Sequence, residues 1–326
     1  MTVNITLVGL GRIGASIGLA LASHTDQLYR RGHDRHPEHA RRAQKMGAID
    51  KVAYNLPRAV ADADIVLLAL PIDQVRETLE IIAPDLKEGA VVMDTSPLKT
   101  PVFDWADELL PQGRYLIGLT PALNPERLQD PEFGIDGARD DLFSESLMGI
   151  VAPGGTLASA MKLATDLTAL LGAEPFYLDR TEVDGLMASV HLAPQLIAAA
   201  MMATTSTQPG WQEGRKIAAA HFAQSSAPML GGDDAEALSQ AMVLGKDHVA
   251  RVLDTMIAAL TVYKERTLAS DQEGLVTRLK LAEDNRARWW NDRVDANWDL
   301  EQIPEMDAPS SGDEMRRMIV GRRREE

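Results

Sequence analysis

Up to about residue 179 the chain alternates two patterns: short apolar runs rich in β-branched residues, and longer segments with apolar positions at helical spacing. The runs 3–8, 27–33, 64–71, 90–93, 115–119, 147–151 and 175–178 read as strands. Their continuous apolar character, clearest over 64–70, marks strands covered on both faces, as in a parallel sheet. Between them, 15–22, 37–46 (opened by Pro37), a segment capped by Asp73 and running through Ala83, 101–110 and 156–171 read as helices. Such βα alternation predicts an α/β fold with a mostly parallel, doubly wound sheet. Residues 124–146 show little periodicity and many charges and glycines. They are expected to form a functional or mobile loop over the crevice at the strand ends.

From Thr181 onward the strand signals stop. Helical patterns cover 182–205, 211–223, 235–267 and 272–290, with Met242, Val249, Val252, Leu253, Met256 and Ile257 at helical spacing. The alanine-rich stretch 186–203 is apolar nearly all round and is expected to be buried on most faces, against a second subunit or within a monomeric bundle. From about Val294 the periodicity fades. The reading divides the chain into 1–179 (α/β), 180–292 (helical) and 293–326 (a tail whose root, with Trp289, Trp290 and Trp298, packs on something).

Composition narrows the function classes. The chain has 326 residues, 45% hydrophobic and 25% charged, with a formal net charge of -15 and no cysteine. That charge argues against a nucleic-acid binder. The absence of cysteine removes disulfides, thiolate chemistry and cysteine-ligated metal. No basic leader precedes the first strand, and the run 65–70 is too short to span a bilayer, so a cytoplasmic protein without a membrane segment is expected. No histidine–carboxylate cluster has metal-ligand spacing.

The first strand runs into Gly9-Leu10-Gly11-Arg12-Ile13-Gly14 and then a helix. A phosphate over the turn explains this spacing. Gly9 permits the turn, Gly11 lets a pyrophosphate approach, and Gly14 lets the helix pack on the strand, with the free helix N–H groups facing the anion. Asp34 lies 20 residues beyond Gly14, at the end of the second strand, where a carboxylate accepts the ribose hydroxyls. This Rossmann fingerprint points to NAD, while Arg35 and His36 keep NADP open. The expected cofactor-binding set is Gly9, Gly11, Arg12, Ile13, Gly14, Asp34 and Arg35, with Leu70 and Pro71 at the end of a neighbouring strand.

The stretches VGLGRIGASIGLAL, GHDRHPEHARRAQKMGAID, ADIVLLALPI, VVMDTSPLK, YLIGLTPALNP, SVHLAPQLIAAA and GWQEGRKIA occur in an order and spacing that resembles the prephenate and arogenate dehydrogenases of tyrosine biosynthesis, up to about Trp290. The resemblance implies a nucleotide domain, a helical domain that dimerises, and a substrate cleft between them. It also implies a reaction in which hydride leaves a ring carbinol carbon as carbon dioxide departs. At the chemical positions this chain differs. A Gly-His-Pro turn carries the family's histidine, and here the turn reads Leu119-Thr120-Pro121; threonine orients a hydroxyl without accepting its proton at neutral pH. The serine of a serine-valine-lysine motif aligns with Pro97, with Ser96 one position away and Lys99 retained. A Ser-His-Leu-Pro-His run, anchored on Pro194, puts Leu192 and Gln195 at the two histidine positions. His191 is one residue removed, about 100° round a helix, and reads either as a core histidine or as a functional one in a shifted register. The arginine for the substrate carboxylate aligns with Lys216, beside Arg215.

The candidate catalytic residues are therefore Ser96, Lys99, Thr120 and His191, and the candidate substrate contacts Asn124, Gln195, Arg215 and Lys216. Three functions fit: a dehydrogenase of this family with a rearranged acid–base set, a same-fold oxidoreductase for another small, carboxylate- or amine-bearing substrate, or a non-catalytic dinucleotide sensor.

Overall fold

The computed structural model describes residues 2–231, 233–296 and 298. Eight strands form one sheet in the order β3-β2-β1-β4-β5-β6-β7-β8. They are β1 (Val3–Val8), β2 (Leu28–His33), β3 (Lys51–Val52), β4 (Ile65–Leu68), β5 (Val91–Asp94), β6 (Tyr115–Pro121), β7 (Ser146–Val151) and β8 (Ala173–Tyr177). Every neighbouring pair is parallel except β6 and β7. The α-helices of this part are α1 (Arg12–Ala20), α2 (Pro37–Met46), α3 (Leu56–Val60), α4 (Ile72–Ile82), α5 (Thr100–Leu109) and α6 (Ala158–Leu170). Both faces of the sheet are covered, so side chains that alternate along a strand enter two cores. Ile5, Leu7, Ile65 and Leu67 pack on one side with Ile17 and Ala43, while Val8, Val66, Leu68 and Val92 pack on the other with Val75, Leu79 and Phe103. The α/β expectation holds, and the unbroken apolar runs follow from the double cover.

Two short elements, β3 and α3, carry too few residues for periodicity to register. Asp73 does not cap α4: the cap position is Pro71, and Asp73 lies inside the first turn. Residues 124–146 pack into the core rather than lying loose over the crevice. Two short 3₁₀ turns, Pro125–Arg127 and Gly134–Gly137, aim Ile135, Ala138, Leu142 and Phe143 into the same core as Ile5 and Leu7. Polar bonds fix the segment on α1: the Arg12 guanidinium donates to the Arg127 carbonyl at 3.0 Å, and the Arg139 amide donates to Ser16 Oγ at 3.0 Å. Its position follows from the antiparallel step. β7 starts at the end of the sheet where β6 stops, so the connection stays at the strands' C-terminal edge.

From Arg180 the described chain is helical. α7 (Arg180–Met187) continues through a π-turn (Ala188–Leu192) into α8 (Ala193–Ser206); then come α9 (Trp211–Ile217), α10 (Ala220–Ser226), α11 (Pro228–Gly231), α12 (Ala235–Leu244), α13 (Lys246–Leu268) and α14 (Gln272–Asp295). The expected helix 211–223 is broken between α9 and α10, and the expected 235–267 helix is broken at Gly245, which packs against Leu98. The apolar helix is less covered than expected. Ala188, Leu192, Ala193, Gln195 and Ala198 are buried, yet Leu186, Val190 and Ile197 are exposed. Arg180–Ser206 is by length and composition apolar enough to cross a membrane, with 28% of its most apolar window buried in this chain, so the run 65–70 does not set that limit.

The chain divides into two compact units, Met1–Ala282 and Glu283–Glu326. In the second, Arg286 lies over the rings of Trp289 and Trp290, at 4.8 and 5.0 Å. Most of the tail anticipated at 293–326 lies outside the described residues.

Within the first unit, Asp184 of α7 is buried and ties the helical segment to the sheet. Its two carboxylate oxygens accept the Lys99 and Thr100 amides at 2.6 and 3.1 Å. These N–H groups open α5 and have no partner inside that helix. Asp184→Ala leaves both buried and unpaired, and is expected to lower stability by about 2 kcal/mol in a urea unfolding titration.

Candidate active site

The first turn of the sheet is built by backbone contacts. Gly9 has φ +87°, and a Cβ there would lie 2.3 Å from the Ala69 carbonyl oxygen. A Cβ on Gly14 would lie 1.9 Å from the Gly9 carbonyl oxygen, so α1 meets β1 only without one. Gly11 is different: nothing lies within 4 Å of its would-be Cβ. That open space faces the start of α1, where the N–H groups of Arg12, Ile13 and Gly14 have no partner inside the helix. Arg12 Nε is buried and has no partner among the described residues. Burial holds the Arg12 guanidinium below its ordinary range. An empty hollow, free amides and an orphaned cationic donor together fit a pyrophosphate.

Asp34, its side chain 8% exposed, accepts the Leu10 amide at 2.7 Å and the His36 amide at 2.8 Å. These bonds use one lone pair on each oxygen, and a carboxylate has about four acceptor positions, so ribose hydroxyls can still be bound. Arg35 is exposed and donates to His36 Nε2 at 3.1 Å. Leu70 and Pro71 abut the turn: Leu70 Cδ2 lies 2.9 Å from the position of a Gly9 Cβ, and Pro71 caps α4. The residues fit a dinucleotide with a free ribose 2′-hydroxyl.

The turn after β5 is closed in on itself. Lys99 is fully buried, and its ammonium donates to Asp94 Oδ2 at 3.0 Å, the Asp94 carbonyl at 3.0 Å and the Ser96 carbonyl at 2.6 Å. Burial pushes the Lys99 ammonium down, against the pull of Asp94 and Asp184. Ser96 Oγ donates to Asp94 Oδ2 at 2.7 Å. Both side chains hold the turn in this structure. Asn124 is bonded likewise: its amide nitrogen donates to the Asp141 carbonyl, and its oxygen accepts the Glu126 amide. Thr120 contrasts with them. Its Oγ1 is buried with no partner among the described residues, an orphan hydroxyl at the C-terminal end of β6.

His191 is not a core histidine. Its side chain is 37% exposed, and Nε2 lies 2.9 Å from Asp233 Oδ2. Gln195, one turn on, is buried; its Oε1 accepts the Asp233 amide at 2.9 Å, and its Nε2 donates to the His191 carbonyl at 3.1 Å. Burial pushes the Asp233 carboxyl up, but the bonds from His191 and Gln195 outweigh this and leave it below the ordinary carboxylate range. Ala188 and Leu192 pack on Ile72 and Leu98, which follow the ends of β4 and β5. Asp73, at the start of α4, is held above its ordinary value by burial and by the charge of Asp234, which caps α12. His191, Asp233 and Gln195 thus border the same edge of the sheet as the glycine turn. Arg215 and Lys216 do not join them: both are exposed on α9, which buries no side chain. Sequence reasoning missed Asp233. Asp234 carries an N-cap signature before a helical run, whereas the neighbouring aspartate acquires its role only through Gln195 and His191.

The family profile described as the nucleotide-binding domain of prephenate dehydrogenase matches residues 17–176. The prephenate dehydrogenase of Bacillus subtilis is 27% identical over 290 residues, covering 86% of this chain and 75% of its own. The cyclohexadienyl dehydrogenase of Zymomonas mobilis is 24% identical over 288 residues, covering 87% of this chain and 94% of its own. Prephenate dehydrogenase from Aquifex aeolicus, solved in complex with hydroxyphenyl propionate and NAD+, has a TM-score of 0.76 at 20% identity, over 88% of this chain and 98% of that one.

Proposed function

Since the chain belongs to the prephenate and arogenate dehydrogenase family, we propose that it is an NAD-dependent dehydrogenase acting on prephenate, arogenate or a closely similar small carboxylate. The observation that carries this reading is the hollow over Gly11, framed by the amides of α1, the orphaned Arg12 Nε and the carboxylate of Asp34. When bound there, the nicotinamide supplies a hydride acceptor. The protein binds the pyrophosphate at α1, selects a free ribose 2′-hydroxyl through Asp34, and orders the adjoining β5–α5 turn through Lys99. NADP is the weaker partner, because its 2′-phosphate meets the Asp34 carboxylate.

Thr120 offers its unpaired hydroxyl to the substrate hydroxyl and fixes its direction without accepting its proton. Lys216 and Arg215, exposed on α9 and not gathered with His191 in a single chain, are the cations proposed for the substrate carboxylate. We assign 1–179 to nucleotide binding, 180–292 to substrate and subunit contacts, and 293–326 to the tail. The exposed Leu186, Val190 and Ile197 of α7 and α8, with Ile257 and Leu260 of α13, suit a second copy of this chain, and we propose a homodimer through these helices in the cytoplasm.

The test is incubation of the purified protein with NAD or NADP and prephenate or arogenate, following the near-ultraviolet absorbance of the reduced nicotinamide, with cofactor binding read in parallel by thermal shift. Reduction of NAD at a rate at least about tenfold above that of NADP is the expected result. A thermal shift with NAD but no reduction would overturn the substrate assignment and favour another substrate or a sensor, as the threonine at position 120 would then suggest.

A further inference from the structure

We propose that His191 is the base that takes the substrate's hydroxyl proton in this chain, with Asp233 and Gln195 as the residues that position it. This rests on the dehydrogenase reading above and concerns how the reaction proceeds when position 120 is a threonine.

The backbone supplies the first argument. A π-turn contains one residue more than an α-turn, and such bulges concentrate at functional sites. Here it spans Ala188–Leu192 inside an otherwise α-helical segment, Arg180–Ser206. His191 lies within it and Gln195 one turn beyond, and both bond Asp233.

The second argument is the bonding. Gln195 grips Asp233 through the main chain (2.9 Å) and approaches its carboxylate (3.4 Å), so Asp233 is placed before it meets the imidazole. An ionised Asp233 only accepts, so Nε2 carries the hydrogen in that bond and Nδ1 is the basic nitrogen. No described residue bonds Nδ1. The ring is open to small molecules, and its flanking residues rest on Ile72 and Leu98 at the sheet edge where a doubly wound fold binds its ligands. The charged groups on the elements around it are Asp233 beside the imidazole, Asp234 at the start of α12, Asp73 on α4, and His248 and Arg251 of α13, which lie against Gly185 earlier on the same helix.

With prephenate the proposed step balances as follows. The carbinol C–H pair leaves as hydride to the oxidised nicotinamide dinucleotide, and the O–H proton moves to His191 Nδ1, leaving a ring carbonyl. The carboxylate departs as carbon dioxide, and its C–C electron pair passes through the ring to that oxygen. The oxygen recovers the proton from His191 as a phenol, so no proton is consumed or released overall.

The experiment has two arms, using the full-length protein and the variants Asp233→Asn, Asp233→Glu and His191→Asn. In the first, NMR of protein with isotope-labelled histidine rings reads the imidazole nitrogen shifts without substrate, His191 being assigned by its loss in His191→Asn. The Asp233 carboxylate holds the hydrogen on Nε2, so Asp233→Asn is expected to redistribute it between the two ring nitrogens, and Asp233→Glu to restore most of the wild-type pattern. Unmoved ring shifts in Asp233→Asn overturn the pairing whatever the activity. In the second arm, kcat and KM for prephenate with NAD are measured. kcat should fall about 10- to 100-fold in Asp233→Asn and at least about 100-fold in His191→Asn, and recover most of its value in Asp233→Glu, with KM altered less than about threefold. Normal kcat in His191→Asn overturns the base assignment. Failure of the wild-type protein to reduce NAD with either substrate overturns the parent reading instead, and the NMR arm still decides the pairing.

Discussion

Gly14→Ala is expected to abolish dinucleotide binding, raising the Kd for NAD by more than about 100-fold and removing the thermal shift that NAD produces. The added Cβ would stand 1.9 Å from the Gly9 carbonyl oxygen, a main-chain atom that cannot rotate away, and 3.1 Å from Ala69 Cβ. Either α1 lifts off the sheet or the turn opens. Both movements carry the Arg12, Ile13 and Gly14 amides away from the hollow they frame. Gly11→Ala is the informative companion. Its Cβ enters open space, so the unliganded protein keeps its stability, while the methyl group occupies the volume assigned to the pyrophosphate. Calorimetric titration with NAD beside a urea unfolding curve separates the two. Loss of binding with unchanged stability in Gly11→Ala locates the ligand; retained binding in both variants would place it elsewhere.

Lys99→Met should give the largest loss of stability, about 3–5 kcal/mol, because it strands the Asp94 carboxylate in a closed interior. Three ammonium bonds to Asp94 and Ser96 disappear together, and no water reaches the site to replace them. Gly118 on β6 shows how closely the stem is packed, since a Cβ there would lie 2.7 Å from Lys99 Cδ. The double variant Lys99→Met/Asp94→Asn removes the stranded charge and should recover at least half of the loss. Denaturant unfolding of the single and double variants measures both. A loss below about 1 kcal/mol in Lys99→Met would mean that the ammonium is dispensable to the turn and would reopen a chemical role for it.

The legible parts of the sequence were those governed by local rules. A strand, three spaced glycines and a helix can be recognised because the constraint acts within a dozen residues, and Asp34 because the second strand brings it back at a fixed distance. Lys99 shows the opposite case. As a residue type in a turn it looks available for chemistry; its burial is set by β6 and α7, which are distant in sequence. Asp184 reaches across 85 residues to the Lys99 amide, and Asp233 across 42 to His191, and neither leaves a periodic trace. The segment 124–146 misled for a related reason. Its apolar residues are spaced by 3₁₀ turns, which follow neither the strand nor the α-helical period.

The π-turn at Ala188–Leu192 has a consequence for how such a protein changes over time. Adding one residue to a helix rotates everything on one side of the insertion by about 100° relative to the other, while both ends keep their own partners. A reactive side chain can therefore be re-aimed by a single-codon insertion, without a substitution at the reactive position itself.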